Sequence, residues 1–188
     1  MLRRLEEFLG ARGARYELIA HKEAVTAQEG AAATHVSGWS WAKVVIVKER
    51  EGYAMAVLPA CCAIDTNRLK GLIGLGEIEL ASIDEIRKTF PGCEVGAVPP
   101  FGRLFGVPTV VEEALVDQRD IAMPAGDHHS AIRMRATEYL RLTEPRRGQF
   151  AVHERETFPV HPKPRARVRK PGGELPRVRG GTARRGRP

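Results

Sequence analysis

The sequence predicts an α+β fold in which helices pack around a mixed β-sheet. Three observations predict it. Short β-branched runs, such as Val44-Val45-Ile46-Val47 and Thr109-Val110-Val111, are bounded by turn formers and read as strands. Segments with apolar residues three and four apart, such as Leu2, Leu5, Phe8 and Leu9, read as amphipathic helices. The two kinds alternate without the regular βαβ spacing of a doubly wound sheet.

In chain order, the first helix carries Leu2 to Leu9 and ends at Gly10 and Gly13. Tyr16 to Ala20 is a short strand leading to His21. Thr26 caps a helix through Ala33, with Glu29 three residues on as a capping-box partner. Strands at about 42–48 and 53–58 flank Glu51-Gly52, which reads as a hairpin turn. Asp65 or Thr66 starts a helix carrying Leu69, Leu72 and Ile73. Ile78 to Ala81 is another strand. Ser82 caps a helix that turns Ile83, Ile86 and Phe90 inward and stops at Pro91-Gly92. Beyond a glycine- and proline-rich loop, Thr109 to Val111 and Ile121-Ala122 are strands, and Ala131 to Met134 alternates like a half-exposed one. Thr137 to Leu142 is a short helix ended by Pro145.

The 188 residues fit one domain, about 1–158, followed by an appendage, 159–188. Residues 161–188 hold ten Lys/Arg against one acid, so a net +9 sits there and the first 160 residues carry −2 of the overall +7. Pro and Gly take ten of those last 28 positions, and single apolar residues cannot offset the entropy of ordering, so this tail is expected to be disordered. Extended arginines (Arg165, Arg167, Arg169 with Lys170, then Arg184 and Arg185) suit a phosphate backbone without sequence choice, while a plain solubility appendage is the alternative. No apolar stretch approaches the roughly 18 residues of a membrane span. The first residues lack the apolar core of a signal peptide, so a cytoplasmic protein is expected. Cys61, Cys62 and Cys93 have no CxxC spacing and read as small apolar residues in a reducing compartment.

Two elements carry chemistry. Lys43 opens the strand Ala42-Lys43-Val44-Val45, where a buried ammonium without a partner is costly, so it should face a cleft or an anion. A solvated strand-edge lysine is the plain alternative. In Gly96-Ala97-Val98-Pro99-Pro100-Phe101-Gly102, two glycines bracket a rigid diproline, a stiff loop whose bare backbone can approach a ligand. Together they suggest a site for a phosphate-bearing or ester substrate. His21, just after a strand, is a further candidate, as is the turn Gly126-Asp127-His128-His129, which brings an acid and an imidazole to one spot. Adjacent histidines do not readily share one metal ion, and no metal site is expected. Glu112 and Glu113 read as a solvated face and Cys61 as an unactivated thiol. Trp39 and Trp41 read as core or rim aromatics, with stacking on a base as the alternative.

The order of these segments resembles the YbaK/prolyl-tRNA-synthetase-associated domain, a family of aminoacyl-tRNA editing deacylases. The resemblance runs from about Leu2 to Leu142. It is carried by Tyr16, His21, Thr26-Ala27-Gln28-Glu29, Ala42-Lys43-Val44-Val45, Ala56-Val57-Leu58-Pro59, Asp65, Leu69, the Gly96–Gly102 loop, and Ala125-Gly126-Asp127-His128 ahead of Ile132. It implies a compact, barrel-like mixed sheet surrounded by helices. It also implies hydrolysis of a mischarged amino acid from the terminal adenosine of tRNA, with no cofactor and with water as nucleophile. Lys43 would hold the terminal nucleotide. Gly96 and Gly102 would place backbone amides at the ester, while His21, Pro100, Phe101, Gly126, Asp127 and His128 would line the substrate pocket. Mischarged tRNA is the implied partner, and an aminoacyl-tRNA synthetase a further candidate. Glu112 stands where the family commonly has aspartate. A binding or sensing module that kept the pocket and lost turnover remains the second reading, and a polyanion-binding protein acting through its tail the third.

Overall fold

The computed structural model describes residues 1–49, 52–74 and 76–154, so the expected tail from 159 onward lies outside the described residues. Helix α1 (Arg3–Ala11) precedes strand β1 (Glu17–Ala20) and helix α2 (Ala27–Ala33). Strands β2 (Ala42–Glu49), β3 (Gly52–Pro59) and β4 (Cys62–Ile64) come next, then α3 (Thr66–Ile73), β5 (Glu79–Leu80) and α4 (Ile83–Thr89). After the glycine- and proline-rich loop come α5 (Gly102–Phe105), β6 (Thr109–Glu112), α6 (Glu113–Val116) and β7 (Asp120–Pro124). The described chain ends with β8 (Ser130–Arg135), α7 (Ala136–Thr143), β9 (Arg146–Gly148) and β10 (Ala151–His153).

Local chemistry accounts for many of the boundaries. Thr26 and Glu29 form a reciprocal capping box at the start of α2, and Ser82 and Glu85 form another at α4. Asp65 accepts the amides of Asn67 and Arg68 and so starts α3. Gly74, in the left-handed conformation, stops it.

The larger sheet has the order β5-β2-β3-β6-β9 and is mixed. β2 pairs antiparallel with β3 and β5, whereas β3–β6 and β6–β9 are parallel. A second sheet, β1-β8-β7, is antiparallel throughout. A bridge between Trp41 and Ala122 joins the two, with the Ala122 amide donating to the Ser40 carbonyl at 2.8 Å. β10 pairs with β4 as a separate ribbon. Strand β3 shows why its run is apolar without interruption: Met55 and Val57 enter the main core, and Ala54, Ala56 and Leu58 enter a second cluster with Leu69 and Phe150.

Several expectations need correcting. Gly52, expected in a turn, is the first residue of β3 and pairs with Glu49. Ile83, expected inward, is 54% exposed; it shares a stripe with Ile86 and Phe90 but sits in the first turn, beyond the core edge. β8 alternates only at its end, where Arg133 and Arg135 face out. Ser130 and Ala131 are buried because this is the central strand of its sheet.

Glu112 is not a solvated face. It is buried, caps the Ala114 amide of α6, and accepts the amides of Phe150 and Ala151 at 2.6 and 2.8 Å. Its partners lie 38 and 39 residues away in sequence, which is why no local pattern reveals them. Glu112→Ala leaves these amides without an acceptor and is expected to cost about 2–3 kcal/mol. Glu112→Gln, which keeps one oxygen, should cost less. Urea unfolding of the two variants checks the order.

Candidate functional site

Lys43 is the second residue of β2, opposite Leu58 of β3. Its ammonium lies 2.9 Å from Glu154 Oε1 and 3.4 Å from the Ala60 carbonyl, with 19% of the side chain exposed. The expected anion is therefore present, supplied by the chain itself. Lys43 also lines a small cleft with His21, Thr26, Ala27, Trp41, Gly96, Ala97 and Asp127. The cleft has a volume of about 20 Å³, little more than one water requires.

Gly96 connects this cleft to a larger neighbour. An apolar pocket of about 210 Å³ is lined by Val44, Val45, Ile46, Leu80, Ala81, Ile86, Gly96 and Val98. Strand β2 thus runs past both spaces, with its lysine at one and its valines at the other. Gly96 has φ +91°, and a Cβ there would stand 2.8 Å from the Val25 carbonyl oxygen. Both facts demand glycine: the conformation is strained for any L side chain, and the opposing atom is backbone.

The rest of the loop is anchored inward. The Pro100 carbonyl accepts the Tyr139 hydroxyl at 2.9 Å. Phe101 is fully buried between Phe8 and Tyr139. Gly102 begins α5 and packs against Thr109 and Val107. None of these three lines the cleft. They hold the loop's far end while Gly96 and Ala97 face the opening.

The turn after β7 is tied to both neighbours. The Gly126 amide donates to Ala97 at 3.0 Å, and its carbonyl accepts from Glu94 at 2.9 Å. His21 and Ala24 amides donate to the carbonyls of His129 and His128, each at 2.9 Å. Asp127 lines the cleft, yet its carboxylate is occupied by the Met1 ammonium at 2.7 Å, the Ser130 hydroxyl and the His129 amide. Burial raises its pKa, but the hydrogen bonds from Met1, Ser130 and His129 outweigh that and hold it at about 2. Asp127 is therefore ionised and shapes the turn.

His128 is half-buried against the same loop. Its Nε2 lies 2.9 Å from the Val95 carbonyl, which only accepts, so a proton sits on Nε2. Nδ1 is 3.3 Å from Glu94, whose carboxylate also takes the His128 amide. His21 directs Nδ1 at the Lys22 carbonyl at 2.7 Å and meets Trp41 edge-on.

The aromatic and thiol candidates resolve separately. Trp41 is core, packed so closely on Gly30 that a Cβ there would meet it at 2.4 Å. Trp39 is exposed and stacks on His153 at 5.2 Å. All three cysteines are free, with Cys62 buried and its thiol pushed up to about 12, chiefly by burial. Among the described residues, no group of three His, Cys, Asp or Glu is arranged to hold a metal ion. No helix among them is long and apolar enough to cross a membrane.

Sequence reading did not find Glu154 or give a role to Gln28, whose amide donates to the same carboxylate at 3.2 Å. Gln28 stood inside a recognisable segment, but Glu154 is 111 residues from Lys43 and carries no local signal.

Comparisons agree with this architecture. A hypothetical protein designated APE2540 superposes with a TM-score of 0.72 at 25% identity, covering 80% of this chain and all of that one. A candidate trans-editing enzyme for prolyl tRNA synthetase gives 0.71 at 23% identity, covering 79% of this chain and 94% of that one. A candidate signal transduction protein from Marinobacter aquaeolei VT8 gives 0.64 at 18% identity, covering 81% of this chain and 31% of that longer one. No curated protein sequence matches at a significant level. Residues 21–142, which contain the cleft, the loop and the turn, match the family described as the aminoacyl-tRNA editing domain. The chain belongs to the aminoacyl-tRNA editing domain family.

Proposed function

We propose that this protein is a deacylase that hydrolyses the ester of a mischarged aminoacyl-tRNA without a metal ion. The observation that carries the reading is the meeting of Lys43 and Gly96 on one cleft, with an apolar pocket opening on the other side of Gly96. Lys43 supplies the positive charge for the phosphate of the terminal nucleotide. The apolar pocket takes the aminoacyl side chain, and its valine and isoleucine lining selects for size at roughly 1–3 kcal/mol per methylene.

In this reading, water adds to the ester carbonyl, and the negative charge that forms on its oxygen is met by a loop amide. The Gly96 amide donates to no acceptor among the described residues and is the candidate donor. One such donor is worth about 3 kcal/mol in the transition state. Collapse of the intermediate breaks the bond to the ribose oxygen, which takes up a proton as the free amino acid leaves.

The test is hydrolysis of a panel of mischarged tRNAs. The proposal expects one or a few amino acids to be released well above the buffer rate, with correctly charged tRNA spared. Uniform background rates across the panel would contradict it. The second reading is a module that binds aminoacyl-tRNA and does not turn it over; it would retain the panel's tRNA without releasing amino acid.

Tail residues 161–188, outside the described residues, are proposed as an RNA handle. Deleting them is expected to weaken tRNA binding and flatten its salt dependence, at roughly 0.7–0.9 in the log–log slope for each phosphate no longer neutralised. Cleavage at saturating substrate should change little. Filter binding over a salt series checks this, and unchanged binding at low salt would refute it.

A further inference from the structure

Two donors from different elements converge on one carboxylate. Lys43 Nζ approaches Glu154 Oε1 from β2 at 2.9 Å, and Gln28 Nε2 approaches from α2, 3.4 Å from Oε1 and 3.2 Å from Oε2. Glu154 is delivered there by the pairing of β10 with β4, and its amide donates to the Cys61 carbonyl at 3.0 Å. The Lys43 ammonium has only donors, and Gln28 turns its amide nitrogen to the same carboxylate, so both side chains meet the anion as donors. We propose that Lys43 and Gln28 form a two-donor oxyanion site, which Glu154 occupies in the free protein and which a substrate phosphate takes over on binding.

The inference rests on the reading of Lys43 as the nucleotide clamp and adds two residues to it. Gln28 becomes a substrate-binding residue. Glu154 becomes a positioning residue that acts through Lys43. The exchange has a physical basis. The pair is partly exposed, and a phosphate offers the same donors more oxygen acceptors and at least equal charge, so the exchange leaves the ammonium paired throughout. Before substrate binds, the carboxylate holds the ammonium in one place instead of leaving a wandering lysine chain. The cost is competition with every incoming anion.

The test uses a 5′-phosphorylated CCA trinucleotide and calorimetric titration of the full chain. Glu154→Gln keeps size and an acceptor oxygen but removes the charge. It should bind the probe roughly three- to tenfold more tightly than the unmodified protein at low salt. The gain should vanish when Lys43→Ala is combined with it. Adding Gln28→Ala to Glu154→Gln should lose several-fold in affinity. In hydrolysis assays the Glu154→Gln change should lower KM and leave kcat unaltered, a split that a merely structural tie would not produce. Unchanged or weaker binding by Glu154→Gln, a gain that persists without Lys43, or no effect of Gln28→Ala would each overturn the proposal. Binding that follows this pattern in a protein that releases no amino acid would sustain the anion site and sink the deacylase reading instead.

Discussion

Lys43→Ala is expected to lower kcat/KM for ester hydrolysis by roughly a hundredfold or more, with the fold intact. In the proposed site the ammonium is the cation offered to a phosphate, and no neighbouring lining residue replaces it, since His21 turns one ring nitrogen to backbone and Asp127 is anionic. Removing it also leaves the negative charge of Glu154 where the proposed phosphate would bind, which repels the substrate. Folding should suffer modestly, by about 1–2 kcal/mol, because the pair is partly exposed and Gln28 still donates to the Glu154 carboxylate once the ammonium is gone. Steady-state kinetics beside thermal melts separate the two effects. Bulk RNA binding should persist, because the proposed tail contacts are elsewhere in the chain. A Lys43→Ala protein with ordinary turnover would remove the clamp from the account.

Gly102→Ala is expected to be the most damaging single methyl in the folded body. A Cβ at this position would stand 2.2 Å from both Thr109 Oγ1 and the Val107 carbonyl oxygen. The Val107 amide donates back to the Gly102 carbonyl at 2.9 Å, so the two backbones cannot separate without breaking that bond. Overpacking of a tight site costs about 1–3 kcal/mol and more when backbone must move, so a loss of about 3 kcal/mol or more is expected. In a chain of this size that is a fall in Tm of roughly 6–12 °C. Gly10→Ala is the control. It lies in α1 with open space around its Cβ, and should raise stability by about 0.5–1 kcal/mol through the unfolded state and helix propensity. Equal melting of the two variants would mean that the loop's far end is not packed as described.

What could be read from the sequence was whatever is encoded locally. The Thr26–Glu29 box, the Asp65 cap and the uninterrupted apolar run of β3 all rest on residues within a few positions of one another. Lys43 was legible for a related reason: a cation inside an apolar strand requires an explanation wherever the strand goes. The Gly96–Gly102 loop was half legible. Its stiffness follows from glycine and proline, but sequence cannot say which side of a loop meets a cleft, and Pro100 and Phe101 face the core. Long-range partners were beyond reach. Glu112 finds its amides at Phe150 and Ala151, and Lys43 its carboxylate at Glu154 just past β10, at separations where no periodicity operates. The four-residue helices α5 and α6 were missed because a single turn shows no repeat.

One ligand addresses the shared cleft without relying on turnover: an aminoacyl-adenosine whose ester is replaced by a non-hydrolysable amide. Titrated into isotope-labelled protein and followed by amide NMR, it should shift the resonances of Lys43, Gly96, Ala97 and His21 together, along one saturation curve. Shifts confined to other surfaces, with these four unmoved at saturation, would show that the lysine and the loop do not serve a common aminoacyl-nucleotide site.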